Sequence, residues 1–259
     1  MEETIVIDSN TRTAGTDPSA FVIELRRPIV TNALSVIEVL VSPMLPQISP
    51  NCNTFHVIES GGTRAITIPT GYYELIGDVL DAIASSLGYD YSVTSDPVSK
   101  RVTVNSARLC GISVTSGTRG TAAGIIIIPE NNTIGRILGF IPGLYYPAVS
   151  GSVTGTLGYD LNIATRYVTI RLTDRSKGSG GLTGADLATD DDRQTFHALA
   201  TYSEDTDTYR LAGGTPWLFS TGPGTKRIAT IGIQVLDPFG LPASGINTAL
   251  AAIRTGIKL

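Results

Sequence analysis

The residue types that most often perform acid–base chemistry are scarce in this chain. Its 259 residues include two histidines, His56 and His197, each in an alternating strand pattern beside apolar neighbours. A catalytic histidine needs a nucleophile and an orienting partner, and the sequence shows no GxSxG, HExxH or P-loop motif that would supply them. We therefore predict that both histidines are structural and that the chain is not an enzyme. The alternative is a hydrolase in which either histidine meets a carboxylate pair in a cleft.

A run of aspartates between residues 174 and 193 is the other group that could bind a ligand. Carboxylate oxygens are the hard ligands that calcium prefers, and the weak calcium candidates are Asp186, Asp190, Asp191 and Asp192. The run lacks the alternating spacing and the terminal Glu of an EF-hand. This spacing favours a solvated acidic surface loop, so we predict no metal and no cofactor.

Cysteine content and charge exclude several further classes of function. Cys52 and Cys110 show no CxxC pairing, and we predict two free, semi-buried thiols. The net charge of −4 disfavours a protein that coats nucleic acid, although a local basic face remains an alternative. The start of the sequence has no basic segment of a signal peptide, and no run approaches the ~20 apolar residues of a membrane helix. These features predict synthesis in a reducing compartment and no membrane span.

The composition and periodicity indicate the fold class. The chain has 28 Gly and 14 Pro, and β-branched residues fill its apolar runs. About ten strand patterns surround one amphipathic helix at about 73–87, whose stripe is Ile76, Val79, Leu80, Ile83 and Leu87. We predict a mainly β, antiparallel jelly-roll-type β-sandwich with long loops. The prediction is a single domain over 1–259, with an inserted loop-rich subdomain at about 141–225 left open.

Both ends of the chain carry apolar residues without an obvious partner in a closed sandwich. The candidate interface residues are Ile5, Ile7, Ile246, Leu250, Ile253 and Ile257. Such arms can add to a neighbouring subunit's sheet or dock into its groove. The alternative is that they pack within the same chain. The sequence from Thr248 to Ile253 looks helical, whereas Ile125 to Ile128 is typical of a buried strand.

The order of several short motifs resembles a known group of proteins. The first motifs are Ile7-Asp8-Ser9 with Thr11-Arg12, Val36 to Val41 with Pro46, Asn53-Thr54-Phe55, and Ile66 to Tyr73 before the helix. Then follow a hairpin, Ile137-Leu138-Gly139-Phe140, and Ile231 to Val235 with Leu236-Asp237-Pro238-Phe239-Gly240. Together they resemble minor capsid and penton-type proteins of large double-stranded DNA viruses, virophages and polinton-like viruses. The acidic run and the helical look of the tail depart from that group.

The resemblance implies a non-enzymatic jelly-roll subunit of an icosahedral capsid, located in the virion after synthesis in the host cytoplasm. The implied partners are copies of the same chain, a pentamer among the options, and the major capsid protein. A second hypothesis is a carbohydrate- or receptor-binding β-sandwich that serves in attachment. In it, aromatic rings would stack on sugars and the acidic loop would hold calcium; those aromatics are Tyr145, Tyr146, Tyr202, Tyr209 and Trp217.

Overall fold

The fold is mainly β with a single α-helix in the described residues, which confirms the predicted class. The computed structural model describes residues 3–31, 33–59, 62–113, 133–141, 145–174, 195–211, 218–220 and 226–256. The strands are β1 (Glu3–Asp8), β2 (Ala14–Asp17), β3 (Ala20–Thr31), β4 (Ala33–Ser42), β5 (Thr54–Glu59), β6 (Gly62–Thr67), β7 (Ser92–Ser95), β8 (Val102–Asn105), β9 (Leu109–Ser113), β10 (Tyr145–Pro147), β11 (Ser152–Thr154), β12 (Tyr167–Asp174), β13 (Thr195–Ser203), β14 (Thr208–Leu211), β15 (Leu218–Ser220), β16 (Lys226–Leu236) and β17 (Thr248–Gly256). Helix α1 spans Ile76–Leu87.

The chain divides into two compact units. The first unit comprises Met1–Leu45 with Thr165–Leu259, and the second comprises Pro46–Ala164. The second unit is therefore an insertion in the chain path of the first. It overlaps the predicted loop-rich subdomain at about 141–225 only over 141–164. The single domain over 1–259 stays a prediction.

The first unit is built on one long antiparallel sheet. Its strand order is β1-β17-β4-β14-β13-β12-β16-β3-β2, and β15 pairs with β4. Alternating residues from both halves of this order, such as Ile7 and Val36 from one and Phe21 and Ile233 from the other, belong to one buried apolar cluster. Because strands distant in the sheet share one core, the sheet curls over itself as a sandwich of jelly-roll type.

The second unit contains two smaller antiparallel sheets and the helix. One sheet has the order β10-β9-β5-β6 and the other has the order β11-β8-β7. Helix α1 buries Val79, Leu80, Ile83 and Leu87, which is the stripe predicted from the sequence apart from its first residue. The helix begins at Ile76 instead of about residue 73, because Leu75 has an extended backbone. Gly88, with φ of +102°, follows its last residue.

The tail contains a strand instead of the helix that its sequence suggested. β17 pairs with β1 on one side and with β4 on the other, with a bulge between Ala252 and Ile253. Its alanines have high helix propensity, but pairing on both sides and burial of Ala249, Ala251 and Ile253 favour the extended form. The final strand that the resemblance implied is thus present. The run Ile125 to Ile128 lies outside the described residues.

Candidate functional site

His56 lies in β5, between two paired strands. Its cross-strand neighbours are Ala65 on β6 and Ser113 on β9. The ring is half-buried, its Nδ1 atom is buried without a hydrogen bond to any described residue, and burial lowers the pKa of the imidazole. Across the part of the chain that the structure describes, no group of three or more His, Cys, Asp or Glu residues could hold a metal ion. Among the described residues, His56 therefore does not belong to a group that includes the carboxylate pair of the hydrolase alternative.

The remaining candidates for chemistry fall largely outside the described residues. These are the side chain of His197 and the calcium candidates Asp186, Asp190, Asp191 and Asp192. The acidic run connects β12 to β13, whose residues Thr173 and Thr195 pair. Calcium binding there stays a prediction. The thiol of Cys52 is buried outside any disulfide and donates to the backbone oxygen of Gln47 at 3.7 Å, whereas the side chain of Cys110 is not described.

The terminal strands pack within the chain's own sheet. Ile7, Ile246 and Ile253 are buried in the core of the first unit, and Ile5 packs against it partly buried. The side chain of Leu250 and all of Ile257 lie outside the described residues. Within this single chain these residues pack in its own core, and a role for the arms at a subunit interface stays a prediction.

Ser9, from the first motif of the resemblance, connects the segment after β1 to the last strand, β17. The side chain is fully buried, and its Oγ accepts a hydrogen bond of 3.1 Å from the backbone N–H of Ala249. Asp8 accepts a bond of 2.8 Å from the backbone N–H of Asn10, which caps the short 3-10 turn at Ser9–Thr11. The motif therefore stabilises the pairing of β1 with β17.

Gly139, from a second motif, permits a close approach of two backbone segments. Its φ is +80°, and a Cβ at this position would lie 2.2 Å from the backbone oxygen of Leu157. The backbone N–H of Leu157 donates to the oxygen of Gly139 at 2.9 Å, and that of Asp160 donates to Ile137 at 2.8 Å. Only glycine fits this conformation and this space.

Asp237, from the last motif, organises the predicted tight turn after β16. The residue is buried, and its carboxylate accepts backbone hydrogen bonds from Phe239 at 2.9 Å and from Leu241 at 3.0 Å. The backbone N–H of Gly240 also donates to the oxygen of Asp237 at 2.9 Å. The turn therefore satisfies its polar groups internally before β17 begins.

Two of the aromatic residues proposed to stack on sugars belong to the core. Tyr209 is fully buried; its hydroxyl donates to the backbone oxygen of Thr165 at 2.8 Å and accepts from the N–H of Leu45 at 3.1 Å. Tyr146 is also buried, edge-to-face with Phe140. These rings are unavailable to a ligand, which corrects the sequence hypothesis for both. The side chain of Tyr145 and all of Trp217 lie outside the described residues.

A polar network around Glu59 was not found from the sequence. Its carboxylate accepts a 2.6 Å hydrogen bond from the hydroxyl of Tyr91 and forms an ion pair with Arg64 at 3.0 Å. Arg64 also donates to the backbone oxygen of Leu87 at 3.0 Å, at the carboxyl end of α1. The Tyr91 bond is the main cause that lowers the pKa of Glu59, and burial is the main cause that raises the pKa of Tyr91 to about 12.

Part of this network could have been predicted from the register of the hairpin formed by β5 and β6. Glu59 pairs with Gly62, and Val57 pairs with Arg64, so Glu59 and Arg64 lie diagonally on one face of the hairpin. The position of Tyr91 and of the helix end, in contrast, depends on tertiary packing, which the sequence pattern does not show. The network therefore joins β5, β6 and the end of α1, and its role is structural.

Several large apolar side chains face solvent instead of the core. The most exposed are Tyr89 at 95%, Val98 at 91% and Val149 at 72%, all in the second unit, and Val6 on β1 is 61% exposed. Single exposed apolar residues are ordinary on protein surfaces. None of them was among the predicted interface residues, because they fall in turns, loops and an alternating strand.

The described residues thus define a β-sandwich protein in which Ser9, Gly139 and Asp237 stabilise turns and contacts between segments. None of the helices among these residues has the length and apolar character of a membrane span. No protein-family model and no curated protein matches the sequence. Among solved structures, the crystal structure of SeMet-labeled mavirus penton protein aligns with 98% of this chain and 99% of that chain, at 12% identity and a TM-score of 0.37. A similarity of this size is too low to carry the functional argument, which rests on the chain's own residues.

Proposed function

We propose that this protein is a structural subunit of an icosahedral viral capsid, of minor capsid or penton type, and that it acts by packing against other subunits. The observation that carries the proposal is the location of the motifs behind the resemblance. Ser9, Gly139 and Asp237 each close or position part of the β-fold. The group that the sequence resembles has such a fold and no enzymatic activity. We therefore expect its members to share with this chain the residues that stabilise turns and contacts between strands.

The surface supports the same role. Charged residues make up only 16% of the sequence, so a weakly charged surface is available for contacts with other subunits. Burial of apolar surface between subunits stabilises an assembly by roughly 25 cal/mol per Å² before the cost of association. A ring of identical chains would use heterologous contacts that close by rotation. This mechanism requires no catalytic residue.

The test is the mass of the purified protein in solution, measured by light scattering after size exclusion across salt and calcium concentrations. A closed pentamer is the expected result for a vertex subunit. The same sample is then mixed with shells assembled from the major capsid protein, and co-sedimentation is measured. A chain that remains monomeric under all conditions and also fails to bind the shells would contradict the proposal.

A further inference from the structure

His56 combines a titratable ring with a position that offers no partner for one of its nitrogens. The ring is half-buried in β5, and Nδ1 is buried without a hydrogen bond to any described residue. Buried polar atoms in folded proteins are normally hydrogen-bonded, so an exception at a titratable group needs a physical account. A neutral imidazole can leave Nδ1 unprotonated, in which case the buried atom is only an unused acceptor.

Among the described residues, the strands paired with β5 offer His56 no charge that would compensate a proton. The residues opposite it are Ala65 on β6 and Ser113 on β9, and β10 beyond β9 is Tyr145–Pro147. The charged residues of β5 and β6 are Glu59 and Arg64, and strand alternation directs both to the other face of the sheet. The described strands around His56 therefore provide no carboxylate for an imidazolium, and the 3-10 turn Ile134–Arg136, which also contacts β5, carries a cation.

Protonation changes the hydrogen-bonding needs of the ring. An imidazolium carries an N–H on both nitrogens, so Nδ1 becomes a buried donor without an acceptor. The same burial disfavours a net charge in this part of the sheet. We propose that His56 is an acid-sensitive element of the second unit: proton uptake by its ring weakens the sheet β10-β9-β5-β6 in the pH range where histidines titrate. This property is independent of the proposed capsid role.

The direction of the pH dependence follows from the lowered pKa. Because the folded state holds the proton less tightly than the unfolded chain, the unfolded chain binds more protons as the pH falls below the ordinary histidine value of 6.5. Stability contributed by neutral His56 is therefore complete above that value. It is lost as the pH falls through the folded-state pKa, and it changes no further below it.

The experiment uses the full chain and exploits its two histidines, His56 and His197. Melting temperature is measured from about pH 7.5 to about pH 5.5, which brackets the ordinary histidine pKa. The wild type should lose about 3–5 °C for each unit by which the His56 pKa is lowered, since one unit corresponds to about 1.4 kcal/mol. His56→Gln should remove this loss, and the matched control His197→Gln should retain it.

A direct titration keeps the proposal testable should His56→Gln fail to fold. In the His197→Gln variant the single histidine ring signal in the NMR spectrum belongs to His56. A midpoint below 6.5 is expected, with unfolding of the second unit favoured as the ring titrates. A midpoint at or above 6.5, or a pH-dependent loss that His197→Gln removes and His56→Gln retains, would overturn the proposal.

Discussion

The two units of this chain maintain β-structure by different means. The first unit has strands as long as β3, with 12 residues, and β16, with 11, and they share one continuous apolar cluster. The strands of the second unit have six residues or fewer. Its connections are positioned by individual backbone bonds, such as those from Leu157 to Gly139 and from Tyr159 to Lys100. Because both units bury many apolar side chains, we infer that these local backbone bonds stabilise the second unit in addition to its buried core.

The largest effect is expected from adding one methyl group at Gly139. Gly139→Ala combines a left-handed backbone at φ +80° with a Cβ that would lie 2.2 Å from the Leu157 oxygen. Strain and displacement of the paired segment should lower the free energy of unfolding by about 3–5 kcal/mol. Chemical denaturation with a probe in the second unit would measure this change.

Gly240 in the first unit provides the matched control. Its φ is +81°, but a Cβ there would have nothing within 4 Å. Gly240→Ala should therefore cost only the backbone strain, about 1–2 kcal/mol. Equal losses of unfolding free energy at the two glycines would contradict the role proposed for the contact with Leu157. Of these two glycines, Gly139 alone has a backbone atom close to the added Cβ.

The second effect concerns a polar link in the apolar core of the first unit. Tyr209→Phe removes the hydroxyl that bonds Leu45 and Thr165, which are the residues where the chain leaves and re-enters this unit. With a buried N–H and a buried carbonyl both deprived of this bond, we expect a loss of about 2–3 kcal/mol by denaturant unfolding. Tyr202→Phe is the control: its ring packs near Tyr209, but its hydroxyl bonds the exposed Asp207. A Tyr202→Phe loss as large as that of Tyr209→Phe would argue against the special role of the buried link.

Sequence patterns predicted local features well. They predicted less well which strands pair and where the chain leaves and returns to a sheet. The buried stripe of α1 and the turn at Asp237 follow from periodicity and turn chemistry within a few residues. The apolar tail from Thr248 fits a helix or a buried strand equally in sequence, and its pairing with β1 and β4 decides the outcome. The insertion at Pro46–Ala164 also escaped prediction, because Gly- and Asp-rich composition marks loops but not where the chain returns to its first sheet. Burial of Tyr146 and Tyr209 depends on the same long-range packing.

A smaller effect is expected where a charged side chain joins elements of the second unit. Arg64→Met keeps much of the aliphatic length but removes the donors to Glu59 and to the Leu87 oxygen. The Arg64 side chain is 41% exposed, so we expect a loss of only about 1 kcal/mol, measured by thermal unfolding at low and high salt. Arg101→Met is the control, since Arg101 is exposed and outside this network. A loss no greater than that of the control would show that the short strands do not depend on the network.

The smallest effect comes from one hydroxyl and is best seen through pH. Tyr91→Phe removes the hydrogen bond that contributes most to the lowered pKa of Glu59. We expect a loss of about 0.5 kcal/mol at neutral pH. Because the folded-state pKa of Glu59 is lowered, its contribution is present above the unfolded value of 4.5 and is lost as the pH falls through the folded value. Thermal unfolding from neutral to acidic pH should therefore show a smaller acid-dependent loss in Tyr91→Phe than in the wild type. An unchanged acid profile would mean that Arg64, and not Tyr91, controls the ionisation of Glu59.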